Sequence, residues 1–314
     1  MAIDILSIGE AMVEFNAAGP AAEGATYVQG YGGDSSNAAI AAARQGASVG
    51  YISAVGADLF GESLLALWAR EGVDSQNVKR DPSAPTGIYF VTHGPAGHSF
   101  TYYRRGSAAS RMTPADVSEH AIAGARILHA SGISQAIGKS AEAAVTHAIE
   151  LAKKHRVKVS YDTNLRLQLW PIERARKVIH ASIARADIAL PSIEDARQLT
   201  GHHDPDAVVD FYLDLGAPLV VLKLGDQGCL VATATERRRI AGHVVTAVDA
   251  TGAGDTFCGT FLARIAAGDD PFAAARQANA AAALSTMGYG AVAPIPTRKA
   301  VERFLADRQA HAVS

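Results

Sequence analysis

Six short apolar runs punctuate the chain: Ile3 to Ile8, Ser48 to Val55, Arg126 to Ser131, Val157 to Tyr161, Ile188 to Leu190 and Leu219 to Leu224, with Ala-rich amphipathic stretches between them. That alternation leaves few folds open. Runs too short for helices, and mainly apolar, belong in a sheet covered on both faces. A helix between two such runs is the connection that adds the next strand in parallel. The expectation is an α/β chain, a three-layer αβα sandwich around a mostly parallel central sheet. With 314 residues, 48% of them hydrophobic and 19% charged, the chain can bury one large core. Residues 1–314 are therefore expected to form a single domain.

One region breaks the rhythm. From Thr86 to Tyr103, Gly87-Ile88-Tyr89-Phe90-Val91-Thr92, a Gly94-Pro95-Ala96-Gly97 turn and Ser99-Phe100-Thr101-Tyr102-Tyr103 read as a β-hairpin. The segment from about Met12 to Gln29 alternates apolar and polar residues around Gly and Pro and could pair with that hairpin. Together, residues of about 12–31 and 86–106 would make a small sheet outside the main layers, placed to act as a lid. A mere edge hairpin is the alternative, against which stand Tyr102, Arg104 and Arg105 at its end, beside Gly106.

The composition excludes several classes. A formal net charge of -2, from 29 basic and 31 acidic residues, provides no broad positive field for nucleic acid. Small-molecule partners are expected instead. Cys229 and Cys258 match neither a disulfide framework nor a metal-ligand spacing, which fits a reducing compartment. The first residues, with Asp4 inside the only apolar run, do not read as a signal peptide, and no stretch approaches the ~20 apolar residues that cross a bilayer. The expected location is the cytoplasm, with no membrane partner.

The chemistry points to one loop. Asp249-Ala250-Thr251-Gly252-Ala253-Gly254-Asp255 precedes Phe257, Phe261 and Ile265, a helical stripe that ends at Gly268. The glycines therefore sit at a helix N-terminus, where unpaired N–H groups and the positive end of the helix dipole suit anionic oxygens. Asp255 could be only a helix-terminal charge, worth a few tenths to about 1 kcal/mol. That reading leaves unexplained its place among Gly252, Gly254 and Gly259. Phosphoryl transfer needs positioning, charge neutralisation and a group to orient or deprotonate the attacking hydroxyl, and Asp255 is placed for the last. A dinucleotide-binding turn is a poor competitor: the loop lies late in the chain and lacks the Gly-x-Gly-x-x-Gly spacing.

A second stretch, Gly32-Gly33-Asp34-Ser35-Ser36-Asn37-Ala38-Ala39, with Gly46 and Gly56 beyond it, joins the Asp255 loop in a pattern that resembles the ribokinase-like, or PfkB, carbohydrate kinases over nearly the whole chain. Ser35, Ala250 and Thr260 depart mildly from the two signatures. Read physically, Gly32-Gly33 breaks a strand and Asn37 opens the helix Ala38 to Arg44, which Gly46 stops. The resemblance implies an ATP-dependent kinase using Mg²⁺, with Gly33 and Asn37 toward the sugar, Asp255 as base, and Gly252, Ala253 and Gly254 around the developing charge. Where the family carries Asn-x-x-Glu, this chain has Ser192-Ile193-Glu194-Asp195. The oxygens there suit magnesium, with the choice between Glu194 and Asp195 left open. Lys223-Leu224-Gly225-Asp226-Gln227-Gly228 resembles the family's nucleotide-binding turn, though a tight reversal alone would look the same. Asn279 resembles a residue lining the adenine pocket, or it packs its helix. Asp249 and Thr251 resemble positions that hold a monovalent cation, so K⁺ stimulation is expected.

Two stretches narrow the sugar: Tyr102-Tyr103-Arg104-Arg105 at the hairpin's end, and Asp162-Thr163-Asn164-Leu165-Arg166 beyond a strand's carboxyl end. Guanidinium presents paired donors matched to a carboxylate. Both stretches resemble those of the 2-keto-3-deoxygluconate kinases within the family. That resemblance implies substrate contacts from Gly33, Tyr89, Tyr102, Arg104 and Arg166, with Asn164 and Arg166 also near the nucleotide. Alternatively, Arg104 and Arg105 form a solvated edge that discourages strand pairing. A kinase of a neutral sugar such as fructose or ribose, and a catalytically silent sugar-binding protein, are the competing functions. A homo-oligomer, dimer or higher, is expected through the hairpin's aromatic residues.

Overall fold

Neighbouring residues of the central strands end in different cores. Ile5 and Leu6, Ile127 and Leu128, and Val221 and Leu222 are adjacent in sequence, yet they pack on opposite sides of one sheet. Successive strand side chains point to opposite faces, so a run that is apolar throughout must be covered twice. Helices 34–44, 59–71, 253–267 and 271–285 cover one face; helices 139–154, 172–183, 193–200 and 205–215 cover the other. The computed structural model describes residues 3–18, 26–94 and 97–313.

In chain order the strands are β1 (Ile3–Ile8), β2 (Met12–Ala17), β3 (Tyr27–Gly32), β4 (Val49–Gly56), β5 (Val73–Asp81), β6 (Ile88–Gly94), β7 (Gly97–Tyr103), β8 (Ala125–Ser131), β9 (Lys158–Asp162), β10 (Ile188–Ala189), β11 (Leu219–Lys223), β12 (Cys229–Thr233) and β13 (Arg237–Ile240). The large sheet runs β13-β12-β11-β10-β9-β8-β1-β4-β5. It is parallel except for the antiparallel pairs β11–β12 and β12–β13. The αβα sandwich expected from the apolar runs is therefore the observed fold. Three of its strands escape that reading. β5, with the sequence VDSQNVKRD, is a polar edge strand, and the short β12 and β13 complete the opposite edge.

The small sheet runs β3-β2-β6-β7. β6 and β7 form the expected hairpin, with Tyr89 opposite Tyr102, and β2 joins it in parallel through Val13–Ile88 and Phe15–Phe90. Pro95 and Ala96 of the predicted turn, and residues 19–25 of the predicted lid segment, lie outside the described residues.

The helix after β3 begins earlier than expected. It spans Asp34–Arg44, so Asn37 lies one turn inside it rather than opening it. Asp34, Ser35 and Ser36 are poor helix formers that mask the start. Gly33 makes the turn possible: its φ is +123°, and a Cβ there would lie 2.3 Å from the carbonyl oxygen of Glu10.

Candidate active site

Two helices meet with almost nothing between them. A Cβ on Gly259 would lie 2.1 Å from the carbonyl oxygen of Ala38 and 2.7 Å from the Cβ of Ala41. Only glycine allows helix Ala253–Ala267 this close to helix Asp34–Arg44. The contact sits one turn below Asp255 on one helix and just beyond Asn37 on the other. There Asn37 Nδ2 donates to Asp255 Oδ2 at 2.8 Å.

The loop before Asp255 forms as expected: Gly252, at φ +74°, caps the helix N-terminus and Gly268 its C-terminus. Ala253, however, donates its N–H to the carbonyl of Ala250 at 3.2 Å, which removes one of the three amides expected to face an anion. Burial, reinforced by the charge of Asp34, raises the Asp255 pKa to about 8, against the Asn37 hydrogen bond and the more distant Lys223.

Three carboxylates share this floor, Asp34 and Asp162 buried and Asp255 half-buried. Asp34 Oδ2 accepts from the Ser131 hydroxyl and, at 3.2 Å, from Asn164 Nδ2. Asp162, at the carboxyl end of β9, accepts from Lys223 Nζ at 2.9 Å. Lys223 also donates to Cys258 Sγ at 3.3 Å, and a Cβ on Gly254 would stand 3.7 Å from its nitrogen. Burial opposes the charge on Lys223, but Asp162 outweighs it and holds the ammonium above its usual pKa. Asp34 Oδ1, Asn37 Oδ1 and Asp162 Oδ1 are buried without a partner among the described residues. In a folded protein such atoms mark where a ligand or water completes the bonding.

These groups open into a cleft of about 1240 Å³ at the carboxyl ends of the central strands, roofed by the small sheet. Ligand sites commonly measure ~300–1000 Å³. The cleft therefore has room for two small substrates. Most predicted site residues line it: Gly33, Asn37, Tyr89, Tyr102, Arg104, Asn164, Arg166, Ser192, Glu194, Asp195, Lys223, Gly225, Thr251, Gly252, Gly254 and Asp255. Ala253, Gly228, Asp249 and Asn279 are not in its wall. Asn279 spends its Nδ2 on the carbonyls of Ile240 and Ala241, both at 3.1 Å, and so packs its helix on the end of β13. A Cβ on Gly228 would meet the Ile240 oxygen at 2.1 Å, so that glycine serves the reversal before β12. Asp249 binds Thr251 through N and Oγ1, at 2.9 and 2.6 Å, and the N–H of Gly290 at 2.9 Å, tying two loops together.

The paired acids separate clearly. Asp195 Oδ2 accepts from Thr163 Oγ1 and the N–H of Leu165, both at 3.0 Å, and so holds the loop after β9. Ser192 caps that helix by accepting from the Asp195 N–H at 3.1 Å. Glu194 is exposed at the cleft wall. Asn164 in the held loop has φ +30°, a conformation rare outside glycine and best tolerated by Asn and Asp. Such backbone clusters at functional sites.

Arg104 is not a solvated edge. Its Nε and Nη2 contact Glu10 Oε2 at 2.7 and 2.5 Å, and its side chain is only 11% exposed. Arg166 is exposed and donates to the carbonyl of Leu165 at 2.8 Å. The Tyr89 hydroxyl donates to the buried Glu14. Burial raises the Tyr102 phenol pKa, and the charges of Arg104 and Arg166 oppose that shift; the Arg104 guanidinium lies over the Tyr102 ring, 5.7 Å from its centroid.

Sequence reasoning missed Glu10, Glu14, Asp34 and Asp162. The last two lie inside quoted motifs, and an acid at a strand's carboxyl end is the signal that could have singled them out. Glu10 and Glu14 have no such signal, because their burial depends on partners about 90 and 75 residues away.

The pfkB family carbohydrate kinase profile matches residues 2–298. The 2-dehydro-3-deoxygluconokinase of Thermoproteus tenax is 35% identical over 310 residues, 96% of this chain and 94% of its own. Fructokinase-1 of Oryza sativa subsp. japonica is 34% identical over 318 residues, 96% and 97%. Among solved structures, a PfkB protein from Polaromonas sp. JS666 superposes with a TM-score of 0.88 at 35% identity over 96% of this chain and 99% of that one. A fructokinase with bound ATP from Xylella fastidiosa does so with a TM-score of 0.89 at 25% identity, over 98% and 100%. A cleft with room for two substrates, a glycine loop and an acid at a helix start, and a family match over residues 2–298 together place the chain in the pfkB family of carbohydrate kinases, which are phosphotransferases.

Proposed function

We propose that this kinase transfers the γ-phosphoryl group of ATP to the 6-hydroxyl of 2-dehydro-3-deoxy-D-gluconate. The presence of Arg104 and Arg166 in the wall of one cleft, beside Tyr102, carries this reading, because guanidinium groups present paired donors that match the carboxylate of a sugar acid. Tyr89 stands between that corner and the base, stacked on Tyr102 at 5.5 Å and within the field of Asp255. A six-carbon acid lying along this line would place its carboxylate at the arginines and its primary hydroxyl at Asp255.

Asp255 acts as general base on that hydroxyl, oriented by Asn37. Gly252 and Gly254 let the transferred group approach the helix N-terminus, where fixed dipoles meet the developing charge. Lys223 supplies a positive charge beneath the loop, and Gly225 leaves the nucleotide side of the wall open. Glu194 is the acid that fits magnesium, since Asp195 is committed to the loop 163–165. Magnesium, when bound, neutralises phosphate charge. Asp249 and Thr251, already tied to each other and to Gly290, are the residues beside which a potassium ion would further steady the loop before Asp255. The small sheet is the lid, and its exposed Tyr27 and Tyr103 are the surface through which a homo-oligomer would form.

A neutral-sugar kinase is the second reading, favoured by the rice fructokinase's similarity and by the neutralisation of Arg104 by Glu10. One assay panel separates the two. Turnover of fructose or ribose with none on the keto acid would remove the sugar-acid assignment. Arg166→Ala should weaken the acid far more than a reduced, carboxylate-free analogue. Equal loss on both would give Arg166 another role.

A further inference from the structure

The chain crosses between the large and small sheets four times, near residues 10, 33, 87 and 104, and Glu10 touches every other crossing. Its carbonyl oxygen lies where Gly33 could carry no Cβ, and its Oε1 is 2.9 Å from the Cβ position of Gly87. Ser107 Oγ donates to Oε1 at 2.6 Å, while Arg104 takes Oε2 through two nitrogens. The carboxylate is completely shielded from solvent. A charge so placed is tolerated only with a full set of partners, and these have the cost of desolvating Arg104 already built in.

We propose that Glu10 is a positioning residue that fixes the Arg104 guanidinium for substrate. With Nε and Nη2 both on Glu10, the guanidinium is held at two points, and Nη1, which bonds no described residue, is the nitrogen left for a ligand in the cleft that Arg104 lines. Pre-organisation of this kind strengthens binding by removing the entropy lost when a free arginine is immobilised. The same logic recurs four residues on, where buried Glu14 holds the hydroxyl of Tyr89. Glu10 also carries a consequence a simple structural ion pair lacks: because it touches the crossings between the sheets, the aim of Arg104 is referenced to those crossings rather than to the far end of the small sheet.

This inference uses the proposed role of Arg104 in reading the sugar, and the test separates the two. Wild type, Glu10→Ala, Glu10→Gln, Arg104→Ala and the Glu10→Ala/Arg104→Ala double variant are assayed on the sugar acid and on fructose. Sugar KM, ATP KM and kcat are measured for each. Glu10→Ala should raise the sugar KM by at least about tenfold, with ATP KM and kcat within about threefold. Glu10→Gln should stay within about threefold of wild type, because its amide oxygen can take the place of Oε2 and its NH₂ can face Ser107 Oγ. The double variant should bind sugar no worse than Arg104→Ala alone. It removes both buried charges together, so it remains informative where Glu10→Ala fails to fold. Additive losses in the double variant, an unchanged sugar KM in Glu10→Ala, or equal losses in the Gln and Ala variants would each overturn the role of Glu10. If wild type phosphorylates fructose alone, the sugar-acid reading fails, and the coupling is then judged by the same criteria on fructose.

Discussion

Replacing Gly259 by Ala tests whether backbone contact between two helices sets the catalytic geometry. The added methyl would start 2.1 Å from the carbonyl oxygen of Ala38, whereas a comfortable C···O approach is about 3.3 Å. The helices must therefore separate by about 1 Å. Helix backbone cannot rotate away as a side chain could, and Ala38 and Ala41 have nothing to fold aside. Part of the displacement passes to Asn37, whose 2.8 Å bond to Asp255 would then exceed hydrogen-bonding range. Overpacking of this size costs roughly 1–3 kcal/mol, and an ångström of misplacement at a reacting group can cost about 10²-fold in rate. Gly259→Ala should accordingly lose both melting temperature and kcat. Gly254→Ala is the control for stability: its methyl would meet nothing nearer than Lys223 Nζ at 3.7 Å, so its melting temperature should stay at the wild-type value. Scanning calorimetry and steady-state assays read both quantities. A Gly259→Ala enzyme with wild-type kcat would refute the claim that the helix contact holds Asn37 on Asp255, whatever its stability.

Asp255→Asn should lower kcat by about 10²-fold or more while leaving sugar binding largely intact, and retained kcat would refute the base assignment. Its stability has a sign set by linkage. With the folded pKa raised to about 8 and the unfolded value near 4, the folded protein keeps a proton the unfolded chain has lost, so stability falls as pH rises between those values. Without ligands, Asp255→Asn should therefore unfold at higher denaturant than wild type at pH 8, with the gain vanishing by about pH 4. A gain that grows toward low pH would contradict the raised pKa. Lys223→Met strands Asp162 as an unpaired buried acid and should cost roughly 3–5 kcal/mol, much of it recovered by Asp162→Asn in the same chain. A urea midpoint unchanged in the single variant would show that Asp162 does not depend on Lys223.

What could be read from the chain follows from how local each signal is. Ile3–Ile8 and the other mainly apolar runs mark the buried strands because burial on both faces leaves few polar positions. β5 is invisible by the same rule: an edge strand needs only one covered face and can carry Asp, Asn, Lys and Arg. The Gly252–Asp255 loop is legible because glycines and an acid in consecutive residues before an apolar helical stripe mark a helix start. Arg104 was recognised as a candidate, but its pairing with Glu10 was not, since that bond joins residues 94 apart and leaves no trace in local pattern. Asn279 shows the limit from the other side: an amide in an Ala-rich helix suits either a ligand or a neighbouring carbonyl, and only the position of Ile240 and Ala241 decides.

The division between the two sheets also bears on how such a protein changes over time. Groups proposed for phosphoryl transfer, Asp255, Lys223 and the glycine loop, stand on the large sheet and its helices, while Tyr89, Tyr102 and Arg104 arrive on one hairpin. On the proposed reading, changes within a stretch of about twenty residues would alter three of the sugar contacts while leaving the transfer groups, and Arg166 beyond β9, in place. The boundary of that editable stretch falls at Glu10, where a change of hairpin must still find its anchor.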